Sequence, residues 1–235
     1  MDEEVREGLK QISAATISMQ LLKRGIRNCY IAGATPLGSD APNVVGEAYT
    51  LRYVPWREDR STPDVLAATD YPPRRAIEDA PAGSVLVIDG RGHSDVAVMG
   101  DLLAARLAER GVAGVVTDGG IRDAADVVAT GLAVYAAGPA APASINGHSA
   151  ADLQTPVACG GVAVFPGDVI KADADGVIVI PAHLAQDIAR DGPAQERFER
   201  FALEKIKEGR PVIGTYPPNE ATRAEYETWT EPDED

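Results

Sequence analysis

Residues 84–136 constrain the fold more than any other part of the chain, because strand and helix patterns alternate regularly along them. Short runs rich in Val, Ile and Leu are separated by longer amphipathic runs, each of which ends at a glycine. The predicted strands are 84–89, 112–117 and 132–136, and the predicted helices between them are 101–110 and 122–129. Single helices between successive strands indicate parallel pairing, so we predict an α/β fold.

The flanking segments predict a second, β-rich part and helical ends. Further strands are predicted at 44–54, 157–164 and 177–180, without long helices between the last two. Helices are predicted at 3–24, 182–190 and 194–208, with a break at Asp191-Gly192-Pro193. We expect residues 1–210 to form one domain, and the Pro- and Glu-rich residues 211–235 to form an extended arm whose end is disordered.

Charge and cysteine content narrow the class of protein. A formal net charge of −14 argues against nucleic acid and anionic membranes as partners, because phosphate binding requires clustered Lys and Arg. No apolar run approaches the length of a membrane span. Cys29 and Cys159 form neither a disulfide framework nor a metal motif. The acidic start of the chain does not match a signal peptide, and we expect a cytoplasmic protein.

Two motifs, Gly100-Asp101-Leu102-Leu103 and residues 117–123, lie where predicted strands give way to helices. Neighbouring parallel strands would bring two such turns together, at the edge where open α/β sheets bind ligands. If Asp101 is the N-cap of its helix, the amides of Leu102, Leu103 and Ala104 lack intrahelical partners. Such amides can hold a carboxylate.

The second motif ends in Arg122 and Asp123. Arg122 offers a planar set of donors for a carboxylate or an enolate oxygen, and Asp123 offers hard oxygen ligands for Mg²⁺ or Mn²⁺. A carboxylate anchor, an arginine and a divalent cation are what a pyruvate enolate needs. Each of these residues also has a purely structural alternative to a role in the site. Asp101 could simply cap its helix, Arg122-Asp123 could be a solvated ion pair, and Gly119-Gly120 could only form a turn.

The spacing of these motifs resembles that of the RraA-like family, which includes the 4-hydroxy-4-methyl-2-oxoglutarate and 4-carboxy-4-hydroxy-2-oxoadipate aldolases. Those aldolases carry an aspartate, a gap of twenty residues and then Arg-Asp, as Asp101 and Arg122-Asp123 do here. The resemblance covers about residues 8–210. It extends to the segments 46–50, 111–116, 160–162, 166–168 and 173–181.

The resemblance implies a swivelling α/β/β-type core with mixed sheets, in a homotrimer or hexamer with the active site between subunits. It also implies roles: Asp123 holds a divalent metal, Arg122 binds the pyruvyl oxygens and Asp101 orients a water or transfers a proton. Gly100, Leu102 and Leu103 form the substrate-binding turn. A glutamate from a neighbouring subunit's C-terminal helix completes the metal site in these aldolases, and the candidates here are Glu199, then Glu196, with Glu204 also on that helix.

The activity that the resemblance implies is a class II aldolase that cleaves a small anionic 4-hydroxy-2-oxo acid to pyruvate, with oxaloacetate decarboxylation as a side activity. One alternative is a non-enzymatic regulator that binds a ribonuclease, as the family's namesake does. Another is a related sugar-acid lyase on the same scaffold.

Several features depart from the family pattern or remain outside it. The family's N-terminal Thr-x-x-Asp is replaced here by Thr16-Ile17-Ser18-Met19. The motif segment has no lysine, which argues against a Schiff base, and Lys171 is expected at the surface. His148 and His183 show no ligand spacing, and His93 lies just ahead of the first motif, from where it could reach the pocket. All three are expected to be structural or exposed. Arginines that could contact a distal part of the substrate, though surface positions are favoured, are Arg52, Arg57, Arg60, Arg74 and Arg75.

Overall fold

A computed structural model describes residues 1–230, and residues 231–235, where the predicted arm ends, lie outside the described part. The strands are β1 Thr35–Pro36, β2 Val44–Pro55, β3 Val85–Asp89, β4 Ala97–Met99, β5 Gly114–Thr117, β6 Gly120–Ile121, β7 Val134–Ala136, β8 Gly138–Pro139, β9 His148–Leu153, β10 Val157–Cys159, β11 Val162–Val164, β12 Val169–Asp173 and β13 Gly176–Ile180. The helices are α1 Glu3–Lys10, α2 Ala14–Lys23, α3 Pro63–Ala67, α4 Pro72–Asp79, α5 Asp101–Glu109, α6 Ala124–Ala129, α7 Ala185–Lys207 and α8 Glu220–Thr228. Short 3-10 helices occupy Ser144–Asn146 and Ala182–Leu184.

The main sheet is mixed and has the strand order β1-β7-β5-β3-β2-β12-β13, with β9 also paired to β2. Strands β3, β5 and β7 pair in parallel, as the alternating pattern predicts. The long strand β2 joins the two parts of the fold, because it pairs in parallel with β3 and antiparallel with both β12 and β9.

Every residue of β3 and β5 is buried, which explains why both strands read as continuous apolar runs rather than as alternating ones. One core cluster packs Leu86 and Ile88 against α4, α5 and α6. The other packs Val85 and Val87 against the β10–β11 hairpin and the strands β12 and β13. The sheet is thus covered on both faces.

A small parallel sheet, β4-β6-β8, extends the parallel strands beyond their carboxyl ends. Strand β4 follows β3 along the chain, β6 follows β5, and β8 follows β7. The sequence pattern did not predict these strands, because each has only two or three residues. They matter for function, because α5 and α6 begin just after β4 and β6.

The two terminal helical regions differ from their predictions. The segment predicted as one helix at 3–24 is two helices, because the Ser13 side chain caps α2 by accepting a hydrogen bond from Thr16 N. The predicted break at Asp191-Gly192-Pro193 is also wrong, since α7 runs continuously through Pro193. At Gly192 an added Cβ would lie 2.5 Å from Ile12 Cδ1, so close packing against the N-terminal region holds the helix there.

The C-terminal arm is not extended over its whole length. Residues 220–228 form α8, whose N-cap Asn219 accepts a hydrogen bond from Thr222 N. Phe201 of α7 packs against Tyr226 and Trp229, which folds α8 back onto α7. The expectation of an α/β fold with mixed sheets and helical ends is confirmed. Within residues 1–230 we find no helix of the length and apolarity needed to cross a membrane.

Candidate active site

The two sequence motifs meet at the end of the small sheet. Strands β4 and β6 are parallel neighbours, and Arg122 N donates a hydrogen bond of 3.0 Å to Met99 O. The chain therefore leaves β4 at Gly100 and leaves β6 at Arg122 side by side. The expected convergence of the two turns is found, although the small sheet produces it rather than the main one.

Gly100 brings the turns into close contact. A Cβ at this position would lie 3.0 Å from Asp123 Oδ2 and 3.6 Å from Arg122 Cγ. Because glycine has no Cβ, the Asp123 carboxylate can lie directly against the backbone that begins α5. Any side chain at position 100 would displace that carboxylate or the arginine beside it.

The start of α5 is a free helix N-terminus, displaced by one residue from the prediction. Gly100, rather than Asp101, is the N-cap, and no side chain caps this end. The Ala104 amide bonds to Gly100 O, so Ala104 is not among the free donors. The amides of Asp101, Leu102 and Leu103 remain without intrahelical partners and can bind an anion.

Asp123 has a left-handed backbone, with φ 53° and ψ 40°, and is the N-cap of α6. The helix starts at Ala124, so the prediction of a helix from Arg122 is wrong by two residues. Arg122 and Asp123 are both about half exposed, and Arg122 Nε lies 3.5 Å from Asp123 Oδ2. A non-glycine residue in this conformation is uncommon and marks a position held by its surroundings.

A cavity of about 300 Å³ opens at this point. Its lining comprises Ala97, Val98, Met99, Gly100, Asp101, Leu102, Leu103, Arg122, Asp123, Ala143 and Ser144. Six residues predicted from the sequence thus share one cavity: the substrate-binding turn, Asp101, Arg122 and Asp123. Their roles in binding and catalysis stay predictions.

Asp118 has a role that the sequence motif did not reveal. Its side chain is buried and accepts backbone hydrogen bonds from Gly90 at 2.7 Å and from Gly92 and Gly160 at 3.0 Å. It therefore ties the loop after β3 to the β10–β11 hairpin. The backbones of Gly90 and Gly119 also pack closely together, because a Cβ at Gly90 would lie 2.5 Å from the backbone of Gly119. The only signal in the sequence was an aspartate at the end of a buried strand.

The carboxylates of the cavity fit a magnesium ion better than a zinc ion. Within residues 1–230 no cluster of three His, Cys, Asp or Glu side chains is suited to hold a metal, as a closed zinc site would require. Magnesium keeps several waters and is commonly held by one or two carboxylates. Asp123, with Asp101 beside it in the lining, supplies that donor set.

The C-terminal glutamates do not line this cavity within one chain. Glu196 accepts hydrogen bonds from the backbone and side chain of Ser13. Burial acts to raise the pKa of Glu196, but these bonds outweigh it and the pKa is lowered. Glu199 accepts from Gln195 and Tyr216, and Glu204 from Trp229 and Lys205. A metal-binding role for Glu196 or Glu199 therefore depends on a neighbouring subunit.

Lys171 is not at the surface, so that expectation was wrong. Only 1% of its surface is exposed, and Nζ donates to Asn43 Oδ1 at 2.7 Å and lies 3.8 Å from Asp173 Oδ2. Burial lowers the pKa of Lys171. It joins the C-terminal end of α1 to β12, and it does not line the cavity.

His148 and His93 belong to a polar cluster around Arg91. The guanidinium of Arg91 lies 3.3 Å from His148 Nδ1 and 3.3 Å from His93 Nε2, and it donates to Gly147 O. His148 is fully buried, as a structural role predicts, and burial lowers its pKa to about 4. Neither histidine lines the cavity.

Known proteins share parts of this sequence and its fold. A family model described as RraA-like, Aldolase/RraA, matches residues 13–179. A protein of Halalkalibacterium halodurans named as a putative 4-hydroxy-4-methyl-2-oxoglutarate aldolase is 33% identical over 142 residues, covering 60% of this chain and 67% of its own length. The protein DlpA of Legionella pneumophila is 35% identical over 150 residues, covering 64% of this chain. The match spans only 23% of DlpA's length.

Among solved structures, RraAS2 of Streptomyces coelicolor superposes with a TM-score of 0.76 at 34% identity. The alignment covers 86% of this chain and 96% of that one. RraAS2 is described as an unusual member of the RNase ES inhibitor RraA protein family.

Proposed function

The chain belongs to the RraA-like family, and from that premise we propose that it is a divalent-metal-dependent lyase that cleaves a 4-hydroxy-2-oxo acid and releases pyruvate. The convergence of Gly100, Arg122 and Asp123 on one cavity carries this proposal. A helix N-terminus, an arginine and a hard carboxylate meet there, as a pyruvate enolate requires. The putative aldolases among the relatives support the same reaction class.

The binding of the substrate follows from the donors of the cavity. The free amides of Leu102 and Leu103 would hold the carboxylate of the pyruvyl half, helped by the dipole of α5. Arg122 would donate to the 2-oxo oxygen, on which negative charge develops as the enolate forms. When bound at Asp123, a divalent cation would add positive charge beside that oxygen.

The reaction is a retro-aldol cleavage. Asp101 would orient a water that takes the proton of the 4-hydroxyl, which becomes the carbonyl of the second product. The electron pair of the C3–C4 bond passes into the enolate of pyruvate, which Arg122 stabilises. A proton delivered to C3 then gives pyruvate. Loss of CO₂ from oxaloacetate leads to the same enolate, so we expect this side activity.

We further propose that the working form is a trimer or a hexamer, in which Glu199 or Glu196 of a neighbouring subunit completes the metal site. Among the described residues, the carboxylates that line the cavity are those of Asp101 and Asp123, so a third would have to come from outside the chain. Light scattering would give the oligomeric state, and a monomeric active enzyme would contradict this part of the proposal.

The proposed activity is tested by coupling pyruvate release to lactate dehydrogenase. The substrates are oxaloacetate and 4-hydroxy-4-methyl-2-oxoglutarate, each with magnesium or with EDTA. We expect turnover that requires the metal and falls by about 10²–10³ in Arg122→Ala. Arg106→Ala is the matched control, since Arg106 is as exposed as Arg122 but pairs with Glu78 on the outer surface. If the folded protein turns over neither compound in the presence of magnesium, these two activities are excluded. Sugar-derived 2-oxo acids would then be assayed as substrates.

A second candidate is a protein-binding regulator of a ribonuclease. Its support is the similarity to RraAS2, which covers most of both chains. This function needs a protein surface and no metal. Binding to an RNase E-type endonuclease that survives both EDTA and Arg122→Ala, in a protein without lyase activity, would favour it.

A further inference from the structure

A second cavity, of about 640 Å³, has no role in the proposed function. It is lined by the end of β2, the start of β9 and the segment that leads into α3 and α4. The candidate active site and this second cavity share no lining residue. Arg57 and Arg60, which the sequence offered as contacts for a distal part of the substrate, line the second cavity instead.

The charged side chains of the second cavity carry a net positive charge. They are the guanidinium groups of Arg57 and Arg60 and the carboxylate of Asp59, so two positive charges face one negative charge. Arg57 makes two hydrogen bonds to Asp59, of 2.6 and 2.7 Å. The hydrogen bond from Arg57 lowers the pKa of Asp59, and the charge of Arg60 adds to this effect. The Arg57–Asp59 pair is thus neutral as a unit, and Arg60 supplies the remaining charge.

Two hydroxyl groups of the lining are almost completely buried. Ser61 and Ser149 are each 8% exposed, and their hydroxyls form a hydrogen bond with each other. Ser149 Oγ also accepts a hydrogen bond of 3.3 Å from Arg57 N. Each hydroxyl has one proton, so one of the two makes the mutual bond and the other is left to donate. Among the described residues we find no other acceptor for that second proton.

Tyr71 adds a further donor to the lining. Its hydroxyl is buried and has no hydrogen-bond partner among the described residues. Burial raises the pKa of Tyr71, so the hydroxyl keeps its proton at neutral pH. A buried hydroxyl without a partner costs free energy, which an acceptor bound in the second cavity would recover.

We propose that the second cavity binds the oxyanion group of a small acidic metabolite, a phosphate or a carboxylate, through Arg60, Tyr71 and the Ser61–Ser149 pair. The lining offers several donors and a net positive charge, and an oxyanion offers several acceptor oxygens and a negative charge. The lining does not suit a metal cation, because its one carboxylate, Asp59, is paired with Arg57.

This inference goes beyond the proposed function and does not depend on it. Every residue of the second cavity comes from one chain, so the site needs no residue of a neighbouring subunit. The proposed divalent cation is bound at Asp123, which does not line the second cavity. The oxyanion site therefore stands or falls separately from the pyruvate site.

Isothermal titration calorimetry of the full chain in EDTA tests the inference, with inorganic phosphate and succinate as the two ligands. We expect at least one of them to bind at one site per chain, with a Kd below about 5 mM. The tighter ligand identifies the oxyanion as a phosphate or a carboxylate. Binding should be unchanged in Arg122→Ala, because Arg122 lies in the other cavity.

Three variants identify the donors. Tyr71→Phe keeps the ring and removes only the hydroxyl, and it should weaken binding about tenfold without lowering the melting temperature. Ser149→Ala should weaken binding to a similar extent. Arg60→Gln should also weaken it about tenfold and reduce its dependence on salt. Arg52→Gln is the matched control, since Arg52 is an exposed arginine of β2 that faces Asp152 and does not line the second cavity.

The outcomes separate this inference from the proposed function. If neither anion binds at up to about 10 mM, the inference is wrong. Binding that disappears in Arg122→Ala would assign the anion to the candidate active site, and binding that is equally strong in Tyr71→Phe and Arg60→Gln would also overturn the inference. A protein that binds the anion in these ways but releases no pyruvate would contradict the proposed function alone.

Discussion

Two regions of the molecule hold their side chains in place by different means. In the segments that flank β4 and β6, backbone contacts fix the geometry: Asp118 accepts three amide hydrogen bonds ahead of β6, and Gly100, just after β4, lies against Asp123. In the C-terminal region, packed rings join α7 to α8 around Phe201. The comparison indicates that these segments tolerate little change of backbone, whereas the C-terminal region depends on side-chain volume.

The largest effect is expected from Asp118→Ala, which leaves the amides of Gly90, Gly92 and Gly160 without their acceptor, the first of them in a buried hydrogen bond and the other two in partly buried ones. We expect the free energy of unfolding to fall by about 5 kcal/mol, as measured by urea denaturation. Asp64→Ala, at an exposed position, should change it by less than about 0.5 kcal/mol. A loss below about 1 kcal/mol in Asp118→Ala would show that the loop after β3 is not held in this way.

Phe201→Ala tests the C-terminal region. The ring is fully buried against Tyr226 and Trp229, so its removal should cost about 3–4 kcal/mol of unfolding free energy. Leu203→Ala, two residues along the same helix but half exposed, should cost much less. If the two variants unfold at the same urea concentration, side-chain packing does not hold α8 on α7.

The larger acid sensitivity is expected from His148, in the polar cluster around Arg91, and a smaller one from the C-terminal helices. The pKa of His148 is lowered to about 4 in the folded protein, so the unfolded state, with a pKa of about 6.5, takes up the proton first. The contribution of His148 to stability is therefore complete above pH 6.5 and is lost as the pH falls towards 4.

His148→Phe should remove that part of the pH dependence. Between pH 7 and pH 4.5 the wild-type protein should lose about 2 kcal/mol more unfolding free energy than the variant. His183→Gln, in which an exposed histidine is replaced, should keep the wild-type slope. Parallel slopes for the wild type and His148→Phe would mean that His148 titrates normally.

The smallest effect is expected at the ion pair between Arg210 and Glu225, which links the end of α7 to α8. The hydrogen bond from Arg210 lowers the pKa of Glu225, so the pair stabilises the fold above the ordinary glutamate pKa and less as the pH falls below it. Arg210→Gln should lower the melting temperature slightly at neutral pH, with the difference reduced by salt or acid. An unchanged melting temperature at low salt would mean that the ion pair does not stabilise the fold. Lys207→Gln, which removes a positive charge near the end of the same helix, is the control.

The sequence predicted the cavity region well because its signals are local. Buried strands such as β3 and β5 appear as apolar runs, and glycines mark the ends of the helices between them. The adjacent turns after β4 and β6 follow from parallel pairing, even though these strands are too short to leave a pattern of their own. The αL backbone of Asp123 and the shift of the N-cap to Gly100 depend on contacts between the turns, which no local pattern contains.

The terminal helices were predicted less well because distant contacts decide them. Pro193 normally ends a helix, but α7 continues past it where Gly192 packs on Ile12. The sequence predicted Lys171 at the surface, but in the folded chain its ammonium group is buried and contacts Asn43 and Asp173. In each case residues far apart in the sequence override a local preference.

We propose that the cavity at the start of α5 and α6 stabilises the enolate of pyruvate. This claim is tested most directly by the exchange of the methyl protons of pyruvate in D₂O, which requires the enolate but no particular cleavage substrate. With magnesium present, proton NMR should show exchange catalysed by the wild-type protein and by Arg106→Ala. Exchange should fall by about 10²–10³ in Arg122→Ala. Exchange that is absent from the folded wild-type protein, or that is equally fast in Arg122→Ala, would contradict the claim.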